Sequence, residues 1–381
     1  MNVLYLCRQS GLEYKEPQLF ARAFRRFGFD VVCAGDEFPV DGNIQVLLGK
    51  FQELPKIIVL AESAHDLLPQ GLEKVNIPTV SLQSDTYAYT RRRIRWSLLF
   101  DYAVVFHPGF EAQFRDAGHP GVITWPHAAD PQFFSGQQEE RVFEVASVGR
   151  IDGPVYQDRR YILQALSQHF KMNDFTRFHS PEELAEVYCR SKIIVNAARD
   201  DYPDDANMRV FEAMASGGLL ITRLPSELTS FGFKEGVHFI GYNRREEVVG
   251  LVQQYLTDEI ARTRIAKTAR DRVLREHTYD NRVQTLFRII ESDAGRLPAP
   301  ARKWCKGRVR AHYLDYYAAN GFLDCAYKQW GHLAVSDPPH AFEGAMLIGR
   351  AWLAEVRNKI AAMRQARSNR ILPDGFRETE R

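Results

Sequence analysis

The chain is poor in the features that would place it outside ordinary globular proteins. It has five cysteines in 381 residues, an odd number with no Cys-x-x-Cys pair. Neither a disulfide framework nor a cysteine zinc site is expected, and a reducing compartment fits best. No stretch approaches the ~18 consecutive apolar residues of a membrane span. The first residues, Met1 to Cys7, show neither a basic n-region nor a long apolar h-region, so no signal peptide is expected. Charge of one sign is also lacking. Lys plus Arg is 50 against 48 Asp plus Glu, a net charge of +2. Nothing in that balance points to a nucleic-acid partner. Gly-x-Gly-x-x-Gly and Gly-x4-Gly-Lys-Ser/Thr are absent, which removes the usual dinucleotide and P-loop fingerprints. A cytoplasmic protein is expected, with peripheral membrane association open.

The near-neutral total conceals an uneven distribution. Residues 296–381 carry 15 basic and 8 acidic side chains, or +7, while residues 1–295 carry 35 and 40, or −5. Hydrophobic residues make up 45% and charged residues 26%, a globular composition. Short apolar runs alternate with helical patterns from the start. Val3–Leu6, Asp30–Ala34, Ile57–Leu60, Thr79–Leu82 and Ala103–Phe106 read as strands, and Gln18–Phe27 reads as a helix. This is the rhythm of βαβ units around a parallel sheet buried on both faces.

The rhythm breaks at Trp125–Pro131 and Ser135–Gln138, then restarts at Phe143–Arg150. Ser180-Pro181-Glu182-Glu183 is a helix start with a capping box. Helices are expected over 159–169, 209–216, 246–256, 259–276 and 281–292, and strands at Lys192–Asn196, Leu219–Thr222 and Gly236–Phe239. Beyond Leu297-Pro298-Ala299-Pro300 only helices are expected, with Pro338-Pro339 as an interruption between two of them. The expected fold is α/β: two Rossmann-like domains facing a cleft, plus a C-terminal all-helical appendage. The boundaries are 1–125 for the first α/β domain, 126–140 for a linker, 141–295 for the second and 298–381 for the basic appendage.

The informative stretch is Asp200-Asp201-Tyr202-Pro203-Asp204-Asp205-Ala206-Asn207-Met208-Arg209-Val210-Phe211-Glu212-Ala213-Met214-Ala215-Ser216-Gly217-Gly218. An acidic loop leads into a helix whose free N–H groups and dipole suit a diphosphate. Arg209 adds a guanidinium fork suited to phosphate. Glu212, one turn on, is placed to accept from a ribose diol.

Asp204 and Glu212 have the spacing of the Glu-x7-Glu motif, and Phe211–Gly218 resembles the helix and glycine stop of group 1 glycosyltransferases of the GT-B fold. Asn207-Met208-Arg209-Val210-Phe211-Glu212 is most similar to the CgeB-type (spore-maturation-like) branch. Ser147–Arg150, Ser180–Ile194, the Gly236–Phe239 strand and Glu276–Arg282 agree. The resemblance spans about residues 79–290 and leaves 298–381 uncovered. It implies a glycosyltransferase, hexosyltransferase in type, that needs no metal or cofactor: a nucleotide-diphosphate sugar (UDP or GDP type) would be substrate, with retention of configuration. It also implies an acceptor side for the first domain and nucleotide-sugar binding for the second. Arg150, Arg209 and the backbone at Asn207–Met208 would hold the diphosphate, Glu212 the ribose, and Asp204 would stand near the transferred sugar. The acceptor would be a glycan, a lipid-linked group or a protein. Many group 1 enzymes carry a His after the strand equivalent to Pro78–Leu82. Asp85 is the nearest ionisable group here and is the expected first-domain catalytic residue, as base or acceptor positioner.

Blander readings stand beside these. Arg209 is also placed to pair with Asp204 or Asp205, and Asp85 to cap a helix. His107 and His127, beside prolines after apolar runs, are assigned to structure rather than chemistry. Arg91–Trp96 resembles a patch for an acidic acceptor or a membrane surface, and its blander reading is a solvated helix face. The alternatives to a transferase are a nucleotide-sugar epimerase of the same fold and a non-catalytic sugar-nucleotide-binding protein. The basic segment 298–381 is expected to meet an anionic surface or a protein partner.

Overall fold

The computed structural model describes residues 1–7, 15–34, 36–61, 67–134, 140–293 and 298–370. Ser135–Gln138 of the expected linker, Leu297 and residues 371–381 of the basic segment lie outside these. The first unit holds β1 (Asn2–Tyr5), β2 (Asp30–Cys33), β3 (Ile57–Ala61), β4 (Thr79–Gln83), β5 (Tyr102–Val105) and β6 (Val122–Thr124). They form one parallel sheet in the order β2-β1-β3-β4-β5-β6. The second unit holds β7 (Phe143–Ala146), β8 (Ser191–Asn196), β9 (Leu219–Arg223) and β10 (Ile240–Tyr242), parallel in the order β10-β9-β8-β7.

The helices are α1 (Lys15–Arg26), α2 (Ile44–Leu48), α3 (Thr90–Ser97), α4 (Glu111–Asp116), α5 (Pro131–Phe134), α6 (Gln157–His169), α7 (Pro181–Cys189) and α8 (Met208–Ala215). After them come α9 (Val248–Thr257), α10 (Glu259–Glu276), α11 (Tyr279–Asp293), α12 (Lys306–Ala319), α13 (Leu323–Ser336) and α14 (Pro338–Arg370).

Strands β3 and β4 are buried at every position, as a sheet covered on both faces requires. Side chains alternate between those faces. Val3, Tyr5, Ile57 and Val59 pack with Phe20 and Phe24 of α1 and with Tyr279, Val283 and Leu286 of α11. Leu4, Leu6, Ile58 and Leu60 join a second cluster with Tyr313, Leu314, Tyr316 and Tyr317 of α12. The helical C-terminal segment is therefore built into the core of the first unit. In the second unit, Ile193, Val195, Leu219 and Ile221 meet Ile162, Val248, Val252 and Ile265, while Ile194 and Leu220 face Tyr188, Val210, Phe211 and Met214.

Several local expectations change. Arg91–Trp96 is not a solvated face: Arg93 and Trp96 are buried, and Arg95 pairs with Asp315 of α12 and Glu343 of α14. Gly236–Phe239 is a turn with Gly236 at φ +71°, and the strand starts at Ile240. Pro338-Pro339 opens α14 rather than lying between helices, since Pro lacks only N–H groups that a first turn leaves free. The capping box of Ser180 and Glu183 forms as expected.

Candidate active site between the two units

Parallel strands place their C-terminal ends on one edge, where ligands of open α/β sheets bind. The two units turn these edges toward each other. From the first unit come Ser84–Tyr87, after β4, and His107, after β5. Adjacent strand ends lie side by side, because Gln83 pairs with Val105. From the second unit come the turn after β7, the loop 197–207 and the segment after β9.

Asn207 is the N-cap of α8, and its side chain accepts from the Arg209 N–H at 3.2 Å. The loop before it is fixed at both ends. The Asp200 carboxylate accepts from the N–H of Gln157 at 2.7 Å, and the Asp204 carbonyl accepts from the N–H of Glu227 at 2.9 Å. Met208 starts the helix and packs against the cluster on the α1 face of the first sheet. Glu212, one turn in, is only 3% exposed.

Arg209 turns onto the bend after β7. Gly149 sits there at φ +154°, and a Cβ on it would lie 3.0 Å from Arg209 Nη1 and 3.1 Å from Arg159 Nη1. The glycine thus makes room for two guanidinium groups. Arg159 is buried and donates to the carbonyls of Ala197 (2.8 Å from Nε) and Arg150 (2.5 Å from Nη1). Burial, together with the charge of Arg209, lowers its pKa to about 9. Arg150 itself is exposed.

The centre of the seam is a network around Glu227, in the turn after β9. Its Oε1 accepts from Tyr202 Oη at 2.6 Å, and its Oε2 accepts from the N–H of Ala206 at 3.2 Å. The same Oε2 accepts from His107 Nδ1 of the first unit at 2.9 Å. That bond assigns the proton of His107 to Nδ1, since a carboxylate can only accept. His107 is 1% exposed, and its Nε2 has no hydrogen-bond partner. Asp205 is buried beside it, with Oδ1 likewise unpartnered. His107, Asp205 and Glu227 each bring one atom within 4.8 Å of the others, the one trio of potential metal ligands among the described residues. Glu227, however, has both oxygens engaged by three donors, as suits an anchor for His107.

Two unpartnered acceptors in a buried place need a proton, a cation or a donor from a ligand. The titration behaviour reflects this. Burial opposes the His107 imidazolium, but the hydrogen bond and charge of Glu227, with Asp205 and Asp85 nearby, outweigh it and raise the pKa. Burial pushes Asp205 up to about 6 against the opposing pull of His107 and Arg209. Aromatic rings close the seam on one side. Tyr87 of the first unit stacks on Tyr202 of the second, with centroids 4.4 Å apart and planes 13° apart. Arg199 lies over Tyr87 at 5.5 Å.

The structure brings Asp85, Asp204 and Arg209 to this seam. Asp85 is exposed at the end of β4, receives the Tyr87 hydroxyl at 3.4 Å, and acts electrostatically on both His107 and Asp205. Glu212 lies inside α8, and Arg150 stands outward on the bend. Sequence reasoning missed Asp205 and Glu227 and assigned His107 to structure. The available signal was positional: His107 follows β5 as Asp85 follows β4, so neighbouring parallel strands had to place them together. His127 is buried, with its ring 6.2 Å from that of His107.

Two parallel-stranded α/β units meeting edge to edge define the GT-B class of fold, and solved structures agree. The chain is similar to HepE from Anabaena in complex with UDP-glucose, with a TM-score of 0.54 and 11% identity over 77% of this chain and 100% of that one. It is similar to an alpha-glucosyltransferase in complex with UDP, with a TM-score of 0.53 and 13% identity over 76% and 100%. A glycosyltransferase from Rickettsia africae matches with a TM-score of 0.51 and 10% identity over 77% and 98%. Within the sequence, residues 150–288 match the family described as Glycosyl transferase-like. No curated protein matches the chain by sequence.

Proposed function

We infer that this protein is a glycosyltransferase that moves a sugar from a nucleotide-diphosphate donor to a hydroxyl-bearing acceptor. The observation that carries this reading is the start of α8, where Arg209 turns onto the Gly149 bend and Asp205, just ahead of the helix, lies beside His107 and within electrostatic reach of Asp85 of the other unit. The Glycosyl transferase-like match over residues 150–288 covers the same elements, and two proteins of like fold hold UDP or UDP-glucose.

In this reading the diphosphate lies at the N-terminus of α8. Arg209, Arg150 and the N–H groups at Asn207–Met208 take up its charge without a metal. Glu212 serves the ribose and Asp204 the transferred sugar, which is a hexose delivered with retention. Asp85 positions the acceptor from the first unit. His107, held by Glu227, and Asp205 add a proton-exchanging pair beside the reacting centre. The Asn207–Glu212 letters support placement in the CgeB-type branch, and the acceptor is a glycan, a lipid-linked group or a protein. Water exclusion by the Tyr87–Tyr202 stack limits hydrolysis of the donor.

The test is a thermal-shift panel of UDP-, GDP- and dTDP-sugars followed by a nucleotide-release assay. A bound donor raises the melting temperature by mass action, and one class should do so with slow release of its nucleotide. A protein that binds no nucleotide refutes the reading. Binding with no release under any acceptor supports the non-catalytic alternative, and a changed sugar on an intact donor supports an epimerase.

A further inference from the structure

Helix α14 has two unlike sides. Ala341 and Ile348 are buried in the cluster shared with α12. Gly344 comes so close that a Cβ there would fall 2.7 Å from Leu314 Cδ1. Phe342, Met346 and Leu353, at positions i, i+4 and i+11, lie on the other side of the helix. They are 71%, 49% and 50% exposed. Large apolar side chains are rarely so open in a row, and seven of the seventeen exposed ones lie within residues 327–353.

Charge flanks this stripe asymmetrically. Arg350 and Arg357 follow Met346 and Leu353 by one turn each, and neither has an acidic partner among the described residues. The acidic groups of the same helix are already met: Glu343 pairs with Arg95 at 2.9 Å and Glu355 with Lys359 at 2.6 Å. Residues 296–381 as a whole carry +7. An open apolar stripe edged by arginines, on a helix anchored by its opposite side, is the pattern of an element that lies in a membrane interface. No helix of the described residues is long and apolar enough to cross a membrane.

We propose that the outer face of α14, formed by Phe342, Met346 and Leu353 with Arg350 and Arg357, docks the protein onto an anionic lipid surface. The apolar side chains enter the headgroup–acyl boundary while the guanidinium groups stay at phosphate level. The helix packs through α12 on the first unit, so the surface would be held by the unit that carries Asp85 and His107. The docking itself does not depend on the transferase reading.

The experiment is sedimentation of the full chain with phosphatidylcholine vesicles, with and without about 30% phosphatidylglycerol as the anionic lipid. Binding is expected only with the anionic lipid and should weaken with salt. The triple variant Phe342→Ser, Met346→Ser, Leu353→Ser should lower the partition coefficient about tenfold or more, as should Arg350→Glu with Arg357→Glu. All five positions are exposed, and an unchanged melting temperature together with an unchanged nucleotide-induced shift checks that the variants fold. Absence of vesicle binding, equal binding to neutral vesicles, or full binding by both variants overturns the proposal. A concentration-dependent dimer in light scattering that the triple variant dissolves also overturns it, since a second copy then covers the stripe.

Discussion

Replacing Asp205 by Asn should stabilise the protein at alkaline pH and leave it nearly unchanged in acid. Asp205 is buried beside His107 and Glu227, with one oxygen unpartnered. Its pKa rises from 3.8 to about 6. A carboxyl whose folded pKa is raised is protonated in the folded state where the unfolded chain is already ionised. Folding then becomes less favourable as pH rises from about 4 to about 6, and the cost persists above that range. A rise of that size corresponds to about 3 kcal/mol at most. His107 acts in the same direction. Its raised pKa contributes stability that is fully present below about 6.5 and is lost as pH rises through the folded value. Asn has no charge to bury. Urea melts of parent and variant at pH 4.5 and pH 8 measure the difference. The variant should gain on the order of 1–3 kcal/mol at pH 8 and much less at pH 4.5. A difference that is the same at both pH values, or a loss at pH 8, refutes the account of a desolvated carboxyl. The same variant should lose transfer activity, as expected where a site holds a charge at the expense of stability.

Other outcomes follow from the same geometry. His107→Gln should lower transfer by about 100-fold or more while sparing nucleotide affinity, measured by single-turnover kinetics beside calorimetry. Asp85→Asn should likewise abolish transfer but not donor binding, and retained transfer removes Asp85 from the mechanism. Gly149→Ala brings a Cβ to 3.0 Å from Arg209 Nη1 and should weaken nucleotide affinity about tenfold or more by displacing that guanidinium. Leu314→Ala should destabilise the first unit by about 2–5 kcal/mol in urea melts. Removal of residues 298–381 should leave that unit insoluble.

The fold was legible because its signals are periodic. Continuous apolar strands, the Ser180 capping box and the Gly217-Gly218 stop each state their element locally. The candidate site was legible where one segment carries it, from Asp204 to Arg209. It was not legible where residues converge from far apart. His107 and Glu227 are separated by 120 positions, and neither has a local pattern that names its partner. The role of the C-terminal helices was hidden for a related reason. Arg91–Trp96 looks solvent-facing by charge, but Arg95 finds Asp315 and Glu343 in helices more than 200 residues later. Burial of an arginine depends on such partners, and a single helix face does not reveal them.

The placement of α12 has a consequence for how the chain matures on the ribosome. The second unit draws its sheet and the helices over it from one continuous segment, β7 to α10, and can close as soon as that segment emerges. The first unit cannot. Its sheet is made early, but Leu4, Leu6, Ile58 and Leu60 wait for Tyr313, Leu314, Tyr316 and Tyr317 to cover them. The part synthesised first is thus the part finished last, and a nascent chain exposes that apolar face while the second unit is already folded.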